Sequence, residues 1–399
     1  MYIARQPIFD KNMNVYGYEL LYRVQEGSAA YEGYSSDGTT ATVLGGLFEL
    51  GLDQIVGKKK AFINFDNEFL LSDGILLIEP DTLVIEVLEH IRVDEALIER
   101  IRYLKEKGYA IALDDFEELY QEYPLIPSAD IIKYDLLRTP LKTLGKEVRH
   151  ALNEGKILLA EKIETDEEFQ IAKDMGFSLF QGYFFSKPKV IAGIRAKKSA
   201  NQVYHQLIRE LKKEEPSYDL LADIIGTDVN LAYRLMKATS TGTKARTLKN
   251  ALVKMGFQEL ERWVSVLMLQ ELSGDKPQEL VRMSLIRSRF GELIAAHSRF
   301  ARRKHEISLM CLFSILDALL DQPMTEALEG IEVSDDIRDL LIHQRGDLRP
   351  IYDIITCYEG GNCILLSQYS YHLQLDDSKL FDWYLHSIRW SEEILKTVL

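Results

Sequence analysis

The chain has 399 residues, 46% of them hydrophobic, and a formal net charge of −14. That length holds two or three ordinary globular domains, and the acidic balance repels a polyanion, so direct nucleic-acid binding is not expected. No apolar run approaches the roughly 18 residues that cross a bilayer, and MYIARQPIFD lacks the basic, apolar and small-residue succession of a secretory leader, so a cytoplasmic protein without a membrane partner is expected.

Along the chain, short apolar runs alternate with amphipathic stretches over the first 190 residues. VYGYELLYRV reads as a strand in which Glu19, Leu21 and Arg23 share one face and Leu20 and Tyr22 the other. KKK at 58–60 reads as a solvated turn before AFINF (61–65). TLVIEVLE (82–89), AIALDDF (110–116), DIIKYDL (130–136), KILLAEKIE (156–164) and LFQGYFF (179–185) follow as strands rich in Ile, Val, Leu and Phe. Stretches 92–107, 139–153 and 165–176 read as helices between them. Repeated βα units predict a parallel sheet, and this many in one domain predict a closed βα (TIM-like) barrel.

A polar residue recurs near the end of each run: Asn64, Glu86, Asp114 with Asp115, Lys133, Glu161 with Glu164, and Gln181. Barrel strand ends converge on one mouth, so these distant residues would share a pocket with Glu19 and Arg23. Carboxylates and an amide without His or Cys form a hard-oxygen set suited to Mg²⁺ or Mn²⁺. The adjacent Asp114 and Asp115 would be neutralised by a cation pair, which suits hydrolysis of a phosphodiester, with Lys133 and Arg23 complementing phosphate charge. A single strand-end acid is more often a helix cap or a solvated loop residue. Glu117, Glu118, Glu167, Glu168, Glu214 and Glu215 read as surface acids, and Asp135 and Glu89 as caps or as groups holding the ligands.

The ordered motifs, with Glu19-Leu20-Leu21-Tyr22-Arg23, Glu86-Val87-Leu88-Glu89, DDF at 114–116, Ile132-Lys133-Tyr134-Asp135, Ala160-Glu161-Lys162-Ile163-Glu164 and QGYFFSKP at 181–188, resemble the EAL domain of bacterial cyclic di-GMP signalling. The resemblance spans about residues 1–190. It implies a barrel that hydrolyses cyclic di-GMP to pGpG with Mg²⁺ or Mn²⁺ at a two-metal site. By position it makes Glu19, Asn64, Glu86, Asp114, Asp115 and Glu161 metal ligands, Lys133 and Glu164 catalytic, and Arg23 and Gln181 substrate contacts. Two departures stand out. Leu20 replaces the motif's Ala on the face away from the pocket, which repacking absorbs. After DDF the family has a glycine-containing loop that couples metal binding to dimerisation; here EELYQEYPLIPSAD carries extra acids and two prolines, leaving both turnover and a homodimer open.

Residues 191–213 read as a basic helical connector, and EEPS at 214–217 as a break before a new helix. From there the pattern is helical, giving domains at 1–190 and 191–399. LLADIIGTDVNLAYRLMKATS (220–240), ALVKMGF (251–257), SLIRSRFGELIAAH (284–297) and LMCLFSILDALL (309–320) resemble the HDOD domain, which implies a regulatory module with an unidentified protein partner. A metal-dependent HD hydrolase needs adjacent His and Asp, but Leu316 precedes Asp317, so no metal dyad is expected. His297 and His305 read as surface or packing residues. Arg282, Arg287, Arg289, Arg302 and Arg303 read as a solvated helical face or a basic patch. Three functions remain open: a cyclic di-GMP phosphodiesterase, a receptor that binds without cutting, and a scaffold acting through protein contacts.

Overall fold

A computed structural model describes residues 2–23, 52–117, 119–182, 202–239, 247–273, 277–329, 331, 333–361 and 363–398. Their packing divides the chain into two compact units. One is Met1–Phe185 with Thr356–Gln368 and Asp377–Phe381; the other is Ser186–Ile355 with Tyr369–Asp376 and Asp382–Leu399.

The first unit is a closed eight-stranded barrel. Its strands are β1 (Tyr2–Asp10), β2 (Val15–Arg23), β3 (Lys60–Phe65), β4 (Leu83–Val87), β5 (Ala110–Leu113), β6 (Ile131–Asp135), β7 (Ile157–Glu161) and β8 (Leu179–Phe180). They neighbour one another in chain order, and β2 to β8 run parallel. The expectation of an all-parallel sheet is corrected at one place: β1, which the hydropathy pattern did not announce as a strand, runs antiparallel to both β2 and β8. A tight turn makes this reversal. The Asp10 carboxylate accepts from the backbone N–H groups of Asn12 and Asn14 at 2.8 and 2.9 Å, and Met13 takes φ 65°.

The helices between the parallel strands begin at caps written in the chain. Asp94 accepts from the Leu97 N–H at the start of Glu95–Glu106, and Thr165 with Glu168 forms a reciprocal capping box on Asp166–Met175. With Gly145–Asn153 they provide the expected alternation; two differ from the periodicity by one to three residues at each end, and the third starts six residues later than the stretch 139–153 suggested. Lys60 opens β3 after the turn at 57–59, as the KKK stretch indicated.

Inside the barrel lies an apolar layer of Ile8, Phe62, Val84, Ala112, Ile131, Leu159 and Leu179, one residue from every strand except β2. There Gly17 pairs with Ile8. A Cβ at Gly17 would come within 2.8 Å of the Phe62 ring and the Lys60 carbonyl, so the large aromatic requires glycine opposite it. This layer is the floor on which the polar mouth is built.

The second unit is helical among its described residues. Ser217 caps Tyr218–Gly226 by accepting from the Leu220 N–H, placing a helix start where EEPS predicted one. Gln278–Ala296 is buried on nearly all sides, and its polar residues are therefore matched: Ser288 hydrogen-bonds Ser308 at 2.9 Å, and Glu292 pairs with Arg262 at 2.8 Å. The arginine reading is corrected for four of the five residues: Arg302 is exposed, as a solvated face expects, but the other four are matched within the unit. Arg287 is buried and donates to Ser314 Oγ at 3.1 Å, while Arg282 pairs with Glu279 and Glu392, Arg289 with Glu292, and Arg303 with Asp336 and Glu306. The neutralising acids come from other turns and other helices. At the position an HD hydrolase gives to histidine, Leu316 is fully buried, and Asp317 accepts from the Ala318 N–H at 2.9 Å. His297 stacks on Trp383 with ring centroids 4.5 Å apart, and His305 lies 3.3 Å from Glu292. Among the described residues no helix is long and apolar enough to cross a membrane.

Candidate metal centre

Side chains alternate along a strand, so moving two residues from the apolar floor reaches the same interior face one step nearer the mouth. That step takes Phe62 to Asn64, Val84 to Glu86, Ala112 to Asp114, Ile131 to Lys133, Leu159 to Glu161 and Leu179 to Gln181. On β2 it takes Gly17 to Glu19, and on the reversed β1 it takes Ile8 back to Gln6. Every strand thus contributes one polar residue to a ring above the floor.

Lys133 is at its centre. Its fully buried ammonium lies 2.5 Å from Glu86, 2.7 Å from Asp114, 3.1 Å from Glu161 and 3.8 Å from Glu19. Burial alone would lower this ammonium's pKa, but Asp114, Glu161, Glu19 and Glu86 together outweigh it and hold the group well above an ordinary lysine. Burial, only partly opposed by Lys133, pushes Glu86 and Glu161 well above the usual carboxylate range, with their acidic neighbours adding to the shift. One ammonium among four carboxylates leaves an excess of negative charge, which a divalent cation would relieve.

The paired aspartates are turned toward the mouth by the backbone. Asp114 N–H continues the β4 ladder to the Val87 carbonyl at 3.0 Å, Phe116 N–H donates to the Lys133 carbonyl at 2.9 Å, and Asp115 between them takes φ 42°. This left-handed residue breaks the pleat, which is why two adjacent carboxylates serve one site. Burial, reinforced by Asp114, pushes Asp115 up to about 6. Asp114, Asp115 and Glu161 each offer a carboxylate oxygen within 4.8 Å of the others. Nearby, Asn64 Nδ2 donates to Glu19 Oε1 at 3.4 Å, and Gln181 Nε2 donates to Glu19 Oε2 at 2.7 Å. Gln181 Oε1 is buried without a hydrogen-bond donor among the described residues, so an acceptor is left over beside the acids. The donor set is oxygen throughout, and it fits a hard divalent cation such as Mg²⁺ or Mn²⁺.

Of the residues expected in the site, Glu19, Asn64, Glu86, Asp114, Lys133, Glu161 and Gln181 are brought together, with Asp115 beside them. Two are not. The Arg23 side chain lies outside the described residues. Glu164 is exposed, and its backbone N–H donates to Glu168 Oε2, because the chain leaves β7 through a left-handed turn at Lys162, φ 54°. Of the two residues expected to be catalytic, Lys133 lies within the buried ring and Glu164 outside it. Asp135, left between two readings, is buried and pairs with Lys162 at 2.5 Å while accepting from the Leu137 N–H.

Beside the aspartates is a cavity of about 150 Å³ lined by Glu89, Asp114, Asp115, Phe116, Glu117 and Arg138 among others. Arg138 reaches Asp115 at 3.4 Å, Glu117 at 3.5 Å and Glu89 at 3.8 Å. Sequence reasoning missed Arg138 and Gln6. Arg138 stands beyond a strand end rather than on it, and Gln6 precedes Pro7 in a stretch without a clear strand pattern. Past Phe116 the chain is anchored by aromatics: Phe116 packs edge-on against Tyr123 and Tyr134, and the Tyr120 hydroxyl donates to Glu154 at 2.8 Å.

A closed barrel with a ring of acids and amides around a buried lysine at its mouth, joined to a helical unit, defines a two-part protein whose first part carries a cluster that could hold a metal ion. The EAL domain family matches residues 67–188, and the HDOD domain family matches residues 198–314. Over 405 residues the chain is 31% identical to Cyclic di-GMP phosphodiesterase CdgJ of Vibrio cholerae, spanning 100% of this chain and 94% of that protein. It is also 31% identical over 412 residues to YuxH of Bacillus subtilis, an uncharacterized protein, spanning 99% of each. A Klebsiella pneumoniae BlrP1 structure with calcium and cyclic di-GMP is 26% identical, with a TM-score of 0.39 over 47% of this chain and 55% of that one, a likeness too loose to bear on the site. The end-to-end similarity to CdgJ makes the chain a member of the EAL–HDOD family.

Proposed function

We propose that the barrel is a metal-dependent phosphodiesterase that opens one phosphodiester bond of cyclic di-GMP with water to give pGpG, and that the helical unit is a regulatory and protein-interaction module. The observation that carries the reading is the convergence of Glu19, Glu86, Asp114 and Glu161 on one buried ammonium at the mouth of a barrel, in a chain related over its full length to CdgJ. A scaffold acting only through protein contacts has no use for such a costly buried cluster.

Glu19, Asn64, Glu86, Asp114, Asp115 and Glu161 are the residues that would hold a pair of Mg²⁺ or Mn²⁺ ions. Such a pair would supply Lewis acidity and neutralise charge on the scissile phosphate. Lys133 Nζ, already held charged by its neighbours, is the positive group that orients water and phosphate oxygen at the ring's centre. Gln181 presents its amide from the ring's edge, and Arg23 is a further phosphate contact by its place in the motif. Arg138 supplies the cation beside the cavity next to Asp115. A cytoplasmic setting, and a protein partner for the helical unit, go with this reading.

The test is turnover of cyclic di-GMP by the full chain with Mn²⁺ and then Mg²⁺, followed as pGpG. Removal of metal with a chelator abolishes product on this reading, and metal-independent product would contradict it. Tight binding of the dinucleotide without product would instead establish the receptor reading, in which the altered segment after Phe116 has cost the cleavage step.

A further inference from the structure

The eighth position of the polar ring belongs to Gln6. Its Oε1 accepts from Gln181 Nε2 at 3.1 Å, and the same Gln181 amide donates to Glu19 Oε2 at 2.7 Å. Both Gln181 amide hydrogens are thus committed, one to Gln6 and one to Glu19. Glu19 alone selects the NH2 end of the Gln181 amide, and Gln6, by accepting the second amide hydrogen, fixes the rotation at which that end is presented. An inverted amide would set an oxygen against Glu19 and repel it.

Gln6 is itself fixed from elsewhere in the first unit. Its Nε2 donates to the carbonyl of Glu359 at 3.3 Å, the last residue of the helix Arg349–Glu359. Two further contacts hold the same short segment to the same two strands. The buried Tyr358 hydroxyl donates to the Ile3 carbonyl on β1 at 3.2 Å. Gly361 takes φ 69° so closely over Leu21 on β2 that a Cβ there would meet Leu21 Cδ1 at 3.2 Å. Leu21 shares the face of Glu19, one step further along the strand. Residues Thr356–Gln368 belong to the same compact unit as the barrel, so these contacts are internal to it.

We propose that Gln6 is a positioning residue for the metal ligand Glu19, and that the chain Glu359 carbonyl, Gln6, Gln181, Glu19 makes cation affinity depend on the seating of the segment around Tyr358. The inference rests on the reading of Glu19 as a metal ligand. Gln6 touches neither cation nor substrate; it acts by holding Gln181, and through it one carboxylate oxygen pair, in the geometry that accepts a cation. A segment from the far end of the sequence thereby reaches the barrel mouth through four consecutive hydrogen-bonding groups.

The experiment measures Mn²⁺ binding to the full chain by electron paramagnetic resonance of free Mn²⁺, without substrate, for wild type, Gln6→Met, Tyr358→Phe and the double variant. Methionine fills the space of glutamine without either hydrogen bond. Gln6→Met is expected to weaken Mn²⁺ affinity about ten-fold, the size of effect seen when groups behind metal ligands are lost, with an unchanged circular dichroism spectrum. Tyr358→Phe is expected to weaken it by about two- to three-fold, and the double variant to be no weaker than Gln6→Met, since both substitutions interrupt one chain. Wild-type affinity in Gln6→Met, or full additivity in the double variant, would overturn the proposal. Should Gln6→Met fail to fold, wild-type affinity in Tyr358→Phe overturns it alone. Absence of Mn²⁺ binding to the wild type would overturn the metal reading of the ring itself, a result distinguishable from the failure of Gln6.

Discussion

Lys133 shows how one residue can be read two ways and then decided. At a strand end it is an ordinary lysine in sequence; in the fold it is fully buried and touches Glu86 and Asp114 at hydrogen-bond distance. Replacing it by methionine strands several carboxylates in a low-dielectric pocket, and breaking a buried charge cluster in this way costs about 3–5 kcal/mol. Lys133→Met is therefore expected to unfold at lower urea without metal, and to recover much of that loss in Mn²⁺, which would neutralise the same carboxylates. Equal stability of variant and wild type in chelator would refute the assignment of Lys133 as the cluster's counter-charge. Asn64, Glu86, Asp114, Lys133, Glu161 and Gln181 were legible because each closes an apolar run. Gln6 was not, because its role depends on β1 running backwards: only in a reversed strand does the residue two before Ile8, rather than two after it, point at the mouth. The exposure of Glu164 was not legible either, since it follows from a single left-handed residue at Lys162 that turns the chain away from the buried ring.

At the scale of elements, the strands were visible in their Ile, Val and Phe content and the helix starts in Asp94, Thr165 and Ser217. The pairing of the arginines was only partly readable: Glu279, Glu292 and Glu306 stand three residues from Arg282, Arg289 and Arg303, but charge along one helix says nothing about acids brought from another. Arg303 and Asp336 are the clearest case, 33 residues apart and 2.6 Å from each other. Hydrogen bonds from Arg303 hold Asp336 down at about 2, below the roughly 4 of an unfolded chain. A depressed folded pKa means that the unfolded state takes up the proton first. The pair's contribution is fully present above about pH 4 and is lost as pH falls through 2. Both side chains are about a third exposed, so screening limits the contribution to about 1 kcal/mol or less. Urea unfolding of wild type and Arg303→Met should differ by that amount at pH 6 and converge toward pH 2; a gap that persists at pH 2 would rule out the ion pair as its source.

At the scale of the whole molecule, the two halves carry different kinds of information. The barrel gathers one polar residue from each strand into its ring, and on the proposed reading losing one metal ligand should disable it without unfolding it. The helical half has a buried leucine at residue 316 where metal chemistry would need histidine, and its described residues gather no His, Cys, Asp and Glu set that could hold a metal. The described residues of the segment after Phe116, where the resemblance led one to expect a glycine loop, are held by aromatic contacts. The most direct measurement is the rate of pGpG formation from cyclic di-GMP by wild type and Glu19→Ala in Mn²⁺, with urea unfolding of both. The account predicts product from the wild type, a loss of at least about a hundred-fold in the variant, and nearly unchanged unfolding. Equal turnover by the two proteins would contradict it.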